Sequence, residues 1–224
     1  MVRTAVMLAS ALLLAACSAL PGDAGNRRAT AGPARSAPPR LTQAAEQCLS
    51  GLRLMGASYS PLPDRELGGG CSNRNTVQLA SLPSDSATFG VTNLGPVTCE
   101  VSQVFAGWAR YGVDRAARQI LGSGLRTIET FGSYSCRNVA GSERRSGHAA
   151  GAAIDVSGFV LDDGRRITVK SGWNGGTAAE REFLRVVQSS ACKRFETVLG
   201  PEYNAAHQDH LHVEGVISTR SYCR

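Results

Sequence analysis

The 224-residue sequence predicts an α+β domain in which N-terminal helices pack on a small antiparallel sheet reinforced by disulfides. Three observations carry this expectation. Apolar residues in the first half recur at helical spacing, later runs alternate as strands do around an Asp-Gly turn, and six of the seven cysteines remain once Cys17 is set aside as the expected lipidation site.

The leader comes first. Residues 1–16 carry one early charge, Arg3, then an apolar run and small residues before Cys17, the pattern of a secretory signal and not of a membrane span. Leu14-Ala15-Ala16-Cys17 resembles the cleavage box of bacterial lipoproteins, which makes Cys17 the lipid-bearing mature N-terminus, and Ser18 after it resembles the outer-membrane sorting pattern. Residues 17–40 are rich in Pro, Ala, Gly and Arg and lack the apolar side chains that would offset chain entropy, so they read as a disordered tether. Drawn out as polyproline, such a segment reaches about 70 Å. Residues 41–224 have a globular composition, without internal repeats or a second linker, and read as one domain.

Within that domain Ala45, Cys48, Leu49 and Leu52 share one face of a helix. A second helix is expected after Pro96, with Val97, Val101, Val104, Phe105 and Trp108 inward and Gly112 as its break, and a shorter one over 115–121. Thr177 with Glu180 three residues on forms a capping box, opening a helix that carries Phe183, Leu184 and Val187. Strands are expected in the second half, over 125–131, 153–161 and 210–216, with Asp163-Gly164 as the hairpin turn before Ile167-Thr168-Val169. Helices followed by an antiparallel meander give the α+β class.

An exported chain with Cys48, Cys71, Cys99, Cys136, Cys192 and Cys223 is expected to form three disulfides. About 15 pairings are possible for six cysteines, and the expected set is Cys48–Cys71, Cys99–Cys136 and Cys192–Cys223. No CxxC or CxxxC pair occurs, which argues against a thiolate metal site. The formal charge of +6 is mildly basic, and loss of the leader removes only Arg3. Export excludes nucleic acid as the natural partner and leaves the anionic wall and lipid headgroups. Arg27-Arg28 and Arg144-Arg145 read as ordinary solvated charges.

All four histidines fall into two clusters, Ser146-Gly147-His148-Ala149-Ala150-Gly151-Ala152-Ala153-Ile154-Asp155 and His207-Gln208-Asp209-His210-Leu211-His212. Imidazole and carboxylate together suit zinc, and a catalytic zinc takes three protein ligands with a fourth position open. His148, Asp155 and one histidine of the second cluster make such a set. Strand alternation would put His210 and His212 on one face and turn Asp209 and Leu211 to the other.

The run Ser-x-His-x-x-Gly-x-Ala-x-Asp at 146–155, followed by His-x-Asp-His-x-His at 207–212, resembles the zinc peptidases that cut D-alanyl bonds in peptidoglycan: D-Ala-D-Ala carboxypeptidases, related dipeptidases and murein endopeptidases. The cysteine pattern and Gly-Ser-Tyr-Ser-Cys-Arg at 132–137 also resemble a bacterial family named for an extensin-like C-terminal domain, a branch of that superfamily by its motifs. The resemblance implies one Zn²⁺ held by His148, Asp155 and His212, with Asp209 as general base. It places His210 and His207 in supporting roles and Arg137 facing the substrate. For Asp209 to serve, the strand must begin only at His210 or a bulge must re-aim the carboxylate. Ser146 is expected to hydrogen-bond locally, Gly151 to allow close packing, Asp163 to form a turn and Glu214 to sit on a strand face. Trp173 either lines a groove or covers the core.

The expectation is therefore a periplasmic outer-membrane lipoprotein that hydrolyses peptidoglycan stem peptides as a D,D-endopeptidase. The alternatives are a D-Ala-D-Ala carboxypeptidase and a non-catalytic, zinc-stabilised wall- or partner-binding domain.

Overall fold

The computed structural model describes residues 41–224, so the expected leader, the expected lipidation at Cys17 and the expected tether lie outside the described residues. Helix α1 (Gln43–Leu54) buries Ala45, Cys48, Leu49 and Leu52 as their spacing predicts, and Thr42 caps it by accepting from the Ala45 amide. Strands β1 (Ser58–Pro61), β2 (Arg65–Gly68), β3 (Cys71–Asn73), β4 (Thr76–Pro83), β5 (Thr88–Thr92) and β6 (Val97–Thr98) then precede α2 (Cys99–Trp108). The second half comprises β7 (Leu125–Gly132), β8 (Ala153–Leu161), β9 (Arg166–Thr168), α3 (Val169–Gly175), α4 (Ala178–Ala191), β10 (Thr197–Leu199), β11 (Leu211–Glu214) and β12 (Tyr222–Cys223).

The class is α+β, but the sheet is neither small nor purely antiparallel. Ten strands form one sheet in the order β1-β4-β5-β7-β8-β11-β10-β12, with β6 joined to β4 and β9 to β8. The β5–β7 and β10–β12 pairs are parallel. The first half, expected to be helical, contributes four of these strands because their sequence signal is broken. In β4 the buried apolar positions run Val77, Leu79, Leu82, a step of two and then three, so no strict alternation marks it. Strand β1 ends in Pro61 at the sheet edge, where a missing N–H is tolerated.

Gly112 does not break the second helix. The chain passes from α2 through π-helical turns at Ala109–Asp114 and Ala117–Leu121, and Gly112 sits where a Cβ would come within 3.1 Å of the Ser190 Cβ on α4. Glycine is thus a packing requirement, letting the helices close until Trp108 Nε1 donates to the Val187 carbonyl at 3.1 Å. The expected capping box opens α4, and Phe183, Leu184 and Val187 are buried. The Asp163-Gly164 turn joins β8 to β9, Gly164 having φ +90°. Trp173 is buried in the core, with Arg185 over its ring, and takes no part in a groove. No helix among the described residues is long and apolar enough to cross a membrane.

Three disulfides form, and one of the expected pairs is among them. Cys192–Cys223 matches; the other bonds are Cys48–Cys99 and Cys71–Cys136, not Cys48–Cys71 and Cys99–Cys136. The reason is tertiary. Helix α1 packs on α2 and so brings Cys48 to the first residue of α2, while β3 lies against the segment that follows β7. Cys71–Cys136 thereby staples the β2–β3 hairpin to the loop carrying Ser133 and Arg137. Peptide mapping without reduction is expected to recover these three pairs, and replacing Cys48 and Cys99 together by Ser should cost about 2–4 kcal/mol in denaturant unfolding.

Candidate metal centre and adjoining cleft

The centre is built on the antiparallel pairing of β8 with β11, whose register sets His212 directly opposite Asp155. Side chains of directly opposed residues point to the same face. His148 arrives from the turn just before β8, a 3₁₀ helix at Gly147–Ala150 that Ser146 caps by accepting from the His148 amide at 3.4 Å. Gly151 ends that turn at φ +64°, and a Cβ there would come within 2.9 Å of the Pro96 carbonyl, so both backbone freedom and close approach require glycine.

The three side chains converge. Asp155 Oδ1 lies 2.9 Å from His212 Nδ1 and 3.2 Å from His148 Nε2, and the two ring nitrogens are 3.2 Å apart. Ligands at about 2.0 Å from a tetrahedral ion stand about 3.3 Å from one another, so this spacing fits a divalent ion. The protonation pattern fits as well. A backbone carbonyl can only accept, so His148 Nδ1, hydrogen-bonded to the Ser133 carbonyl, carries the proton and leaves Nε2 a bare acceptor. His212 Nε2 donates to Glu214 Oε2 at 2.9 Å, which leaves Nδ1 as its inward atom. Two imidazole lone pairs and a carboxylate then face one another at about 3 Å, an arrangement that only a cation makes favourable.

In the metal-free protein a proton can serve as that cation. Burial alone would lower the His212 pKa, but hydrogen bonds to Asp155 and Glu214 outweigh it and hold the imidazolium at about 9. Burial would raise Asp155, and the adjacent His148 ring and the His212 N–H instead hold it far below the usual carboxylate range. Glu214 is lowered, first by its hydrogen bond to His212.

A cleft of about 400 Å³ opens beside His212, lined among others by Arg137, Arg144, Tyr203, His207, His210 and Glu214. Burial and the neighbouring His210 and His212 push His207 down to about 4, so it is neutral near pH 7, with Nδ1 bound to Asn204 Oδ1 at 2.7 Å. His210 Nε2 faces Asp155 Oδ1 at 3.5 Å, while its Nδ1 donates to Asp209 Oδ1 at 2.9 Å. Strand β11 begins at Leu211, so alternation does not constrain Asp209. Its carboxylate contacts His210 and is not among the cleft-lining groups.

The sequence-predicted metal-binding and catalytic candidates thus gather in one region: three as a mutual cluster, His207, His210 and Arg137 at the cleft, and Asp209 against His210. Three participants escaped the sequence. Glu214 is a cleft carboxylate and the partner of the candidate ligand His212, Arg144 lines the cleft, and the Ser133 backbone carbonyl holds His148 Nδ1. Glu214 stands two residues after His212, a same-face spacing on a strand that could have marked it.

One equivalent of a divalent ion should bind, with loss on His148→Ala or Asp155→Ala, and affinity should fall on acidification because protons compete for the same nitrogens. In chelator-treated protein the His212 contribution to stability is fully present below its unfolded value of 6.5 and lost as pH rises through about 9. The thermal midpoint of metal-free protein should therefore drop between pH 7 and 10 by more than that of a His212→Gln variant.

Comparison with curated proteins and with solved structures returns no match. A family profile described as "Extensin-like protein C-terminus" matches residues 46–224, which takes in both histidine clusters and all three disulfides. The chain belongs to the extensin-like protein C-terminus family.

Proposed function

We propose that this protein is a zinc-dependent peptidoglycan peptidase, a D,D-endopeptidase acting on D-alanyl cross-links, held at the periplasmic side of the outer membrane by lipid on Cys17. The convergence of three inward acceptor atoms beside an open cleft carries the reading. Among the described residues, His148, Asp155 and His212 form the one trio whose ligand atoms all lie within 4.8 Å of one another, and His210, 3.5 Å from Asp155, is not in it. Three protein ligands are the count of a catalytic site with one position free; a purely structural site uses four.

Bound among these residues, a zinc ion would supply Lewis-acid activation of a water and of the scissile carbonyl. The chain's own groups handle protons and substrate. Asp209 and His210 work as a pair, the carboxylate fixing the ring so that Nε2 faces the ligands, with Asp209 as base for the proton released at attack and returned to the leaving amine. Neutral His207 adds an acceptor at the cleft wall. Arg137 and Arg144 line the same cleft and form no ion pair among the described residues, which leaves their guanidinium groups for the carboxylates of a peptide stem.

The test is mass spectrometry of cross-linked dimeric muropeptides incubated with purified protein, with and without chelator and re-added zinc. Dimers should become monomers only in the metal-loaded sample, and Asp209→Ala should retain zinc yet turn over at least about 10²-fold more slowly. Release of terminal D-alanine without cross-link cleavage would reassign the protein as a carboxypeptidase. Binding to sacculi with no cleavage would leave the non-catalytic wall-binding reading.

A further inference from the structure

We infer that Glu214 is a positioning residue of the metal centre: its carboxylate, admitted by the absent side chain at Gly147, locks His212 in the tautomer that turns Nδ1 toward Asp155 and His148. The inference rests on the metal-binding part of the reading above and not on peptidase activity.

An imidazole can offer either ring nitrogen to an ion, and the backbone of β11 does not choose between them. The choice is made by whatever holds the far nitrogen. For His148 that group is the Ser133 carbonyl, which no substitution can remove. For His212 it is a side chain. Glu214 follows His212 by two positions on β11, so both point to one face, and its Oε2 accepts from Nε2 at 2.9 Å. The opposite nitrogen, Nδ1, is thereby aimed at Asp155 Oδ1, 2.9 Å away.

Space for this carboxylate is made in the turn that also delivers His148. A Cβ at Gly147 would overlap the Glu214 carboxyl group, lying 2.7 Å from each of its oxygens. Gly147 has no positive φ, so its backbone does not demand glycine; the neighbouring carboxylate does. One turn therefore carries a ligand and also leaves room for the group that orients the ligand across the sheet. Without Glu214, His212 Nε2 would open on the cleft, and the ring would no longer be restricted to one tautomer.

The test measures zinc affinity of the full chain by competition with a chromogenic chelator for wild type, Glu214→Ala, Glu214→Gln and Gly147→Ala. Loss of an outer partner of a ligating histidine weakens metal binding by about 10–100-fold, and Glu214→Ala should fall in that range. Gly147→Ala should follow it, because the three atoms nearest the added methyl all belong to the far end of the Glu214 side chain, which can swing away. Glu214→Gln, whose amide oxygen accepts the same hydrogen bond, should stay within about threefold of wild type. Nitrogen NMR of the zinc-loaded protein adds a direct readout: the His212 Nε2 proton should be protected in wild type and Glu214→Gln and exchange freely in the other two.

Wild-type affinity in Glu214→Ala or an unchanged Nε2 signal overturns the inference, as does Glu214→Gln binding as weakly as Glu214→Ala. Should Glu214→Ala fail to fold, Gly147→Ala decides alone. Wild-type protein that binds no zinc removes the metal centre and this inference together, whereas a zinc-binding protein without peptidase activity leaves the inference standing.

Discussion

The register of β8 against β11 is the constraint on which the rest of the site depends. Pairing Asp155 with His212 across the ladder puts a carboxylate oxygen and a ring nitrogen 2.9 Å apart on one face of the sheet. A slip of one residue would send His212 to the opposite face and bring Leu211 or Val213 in its place. That register is secured by the core beneath: Ile154, Val156, Leu211 and Val213 are buried members of the same hydrophobic cluster. Apolar burial thereby sets the geometry of a polar centre, since no exchange of strand face is possible without exposing these side chains to water.

Around this register the remaining parts are placed by local devices. Ser146 caps the 3₁₀ turn, Gly151 turns the chain back, and the Ser133 carbonyl accepts the His148 proton. The Cys71–Cys136 bond holds the loop that carries Ser133 and Arg137 against the β2–β3 hairpin. The electrostatics follow from this assembly. Buried polar groups are tolerated because each has partners: Asp155 with the rings of His148, His212 and, at 3.5 Å, His210; His212 with Asp155 and Glu214; and His210 with Asp209. The balance differs across the cleft, where Arg137 and Arg144 present charge to the opening while His207 is kept neutral by burial and by neighbouring histidines.

Much of the local structure was legible in the sequence. The faces of α1 and α4, the capping box at Thr177, strands β7 and β8 and the Asp163-Gly164 turn are set by contacts within a few residues, and their signals survive in the chain itself. The two histidine motifs marked all three members of the cluster that could hold a metal ion. What failed was non-local. Strands β1, β4 and β5 are defined by pairing partners more than by alternation, and Gly112 answers to Ser190 on a different helix, so its role could not be read from its own neighbours.

The sequence by itself thus determined which residue types are available for chemistry and where helices start, because periodicity, capping and turn preferences are properties of short segments. Tertiary structure alone decided the disulfide partners, the parallel joins in the sheet and the part played by Glu214. Each of these depends on which elements pack together. Cys48 meets Cys99 because α1 lies on α2, and Glu214 reaches its place because Gly147, distant in the chain, leaves room for it across the β8–β11 ladder.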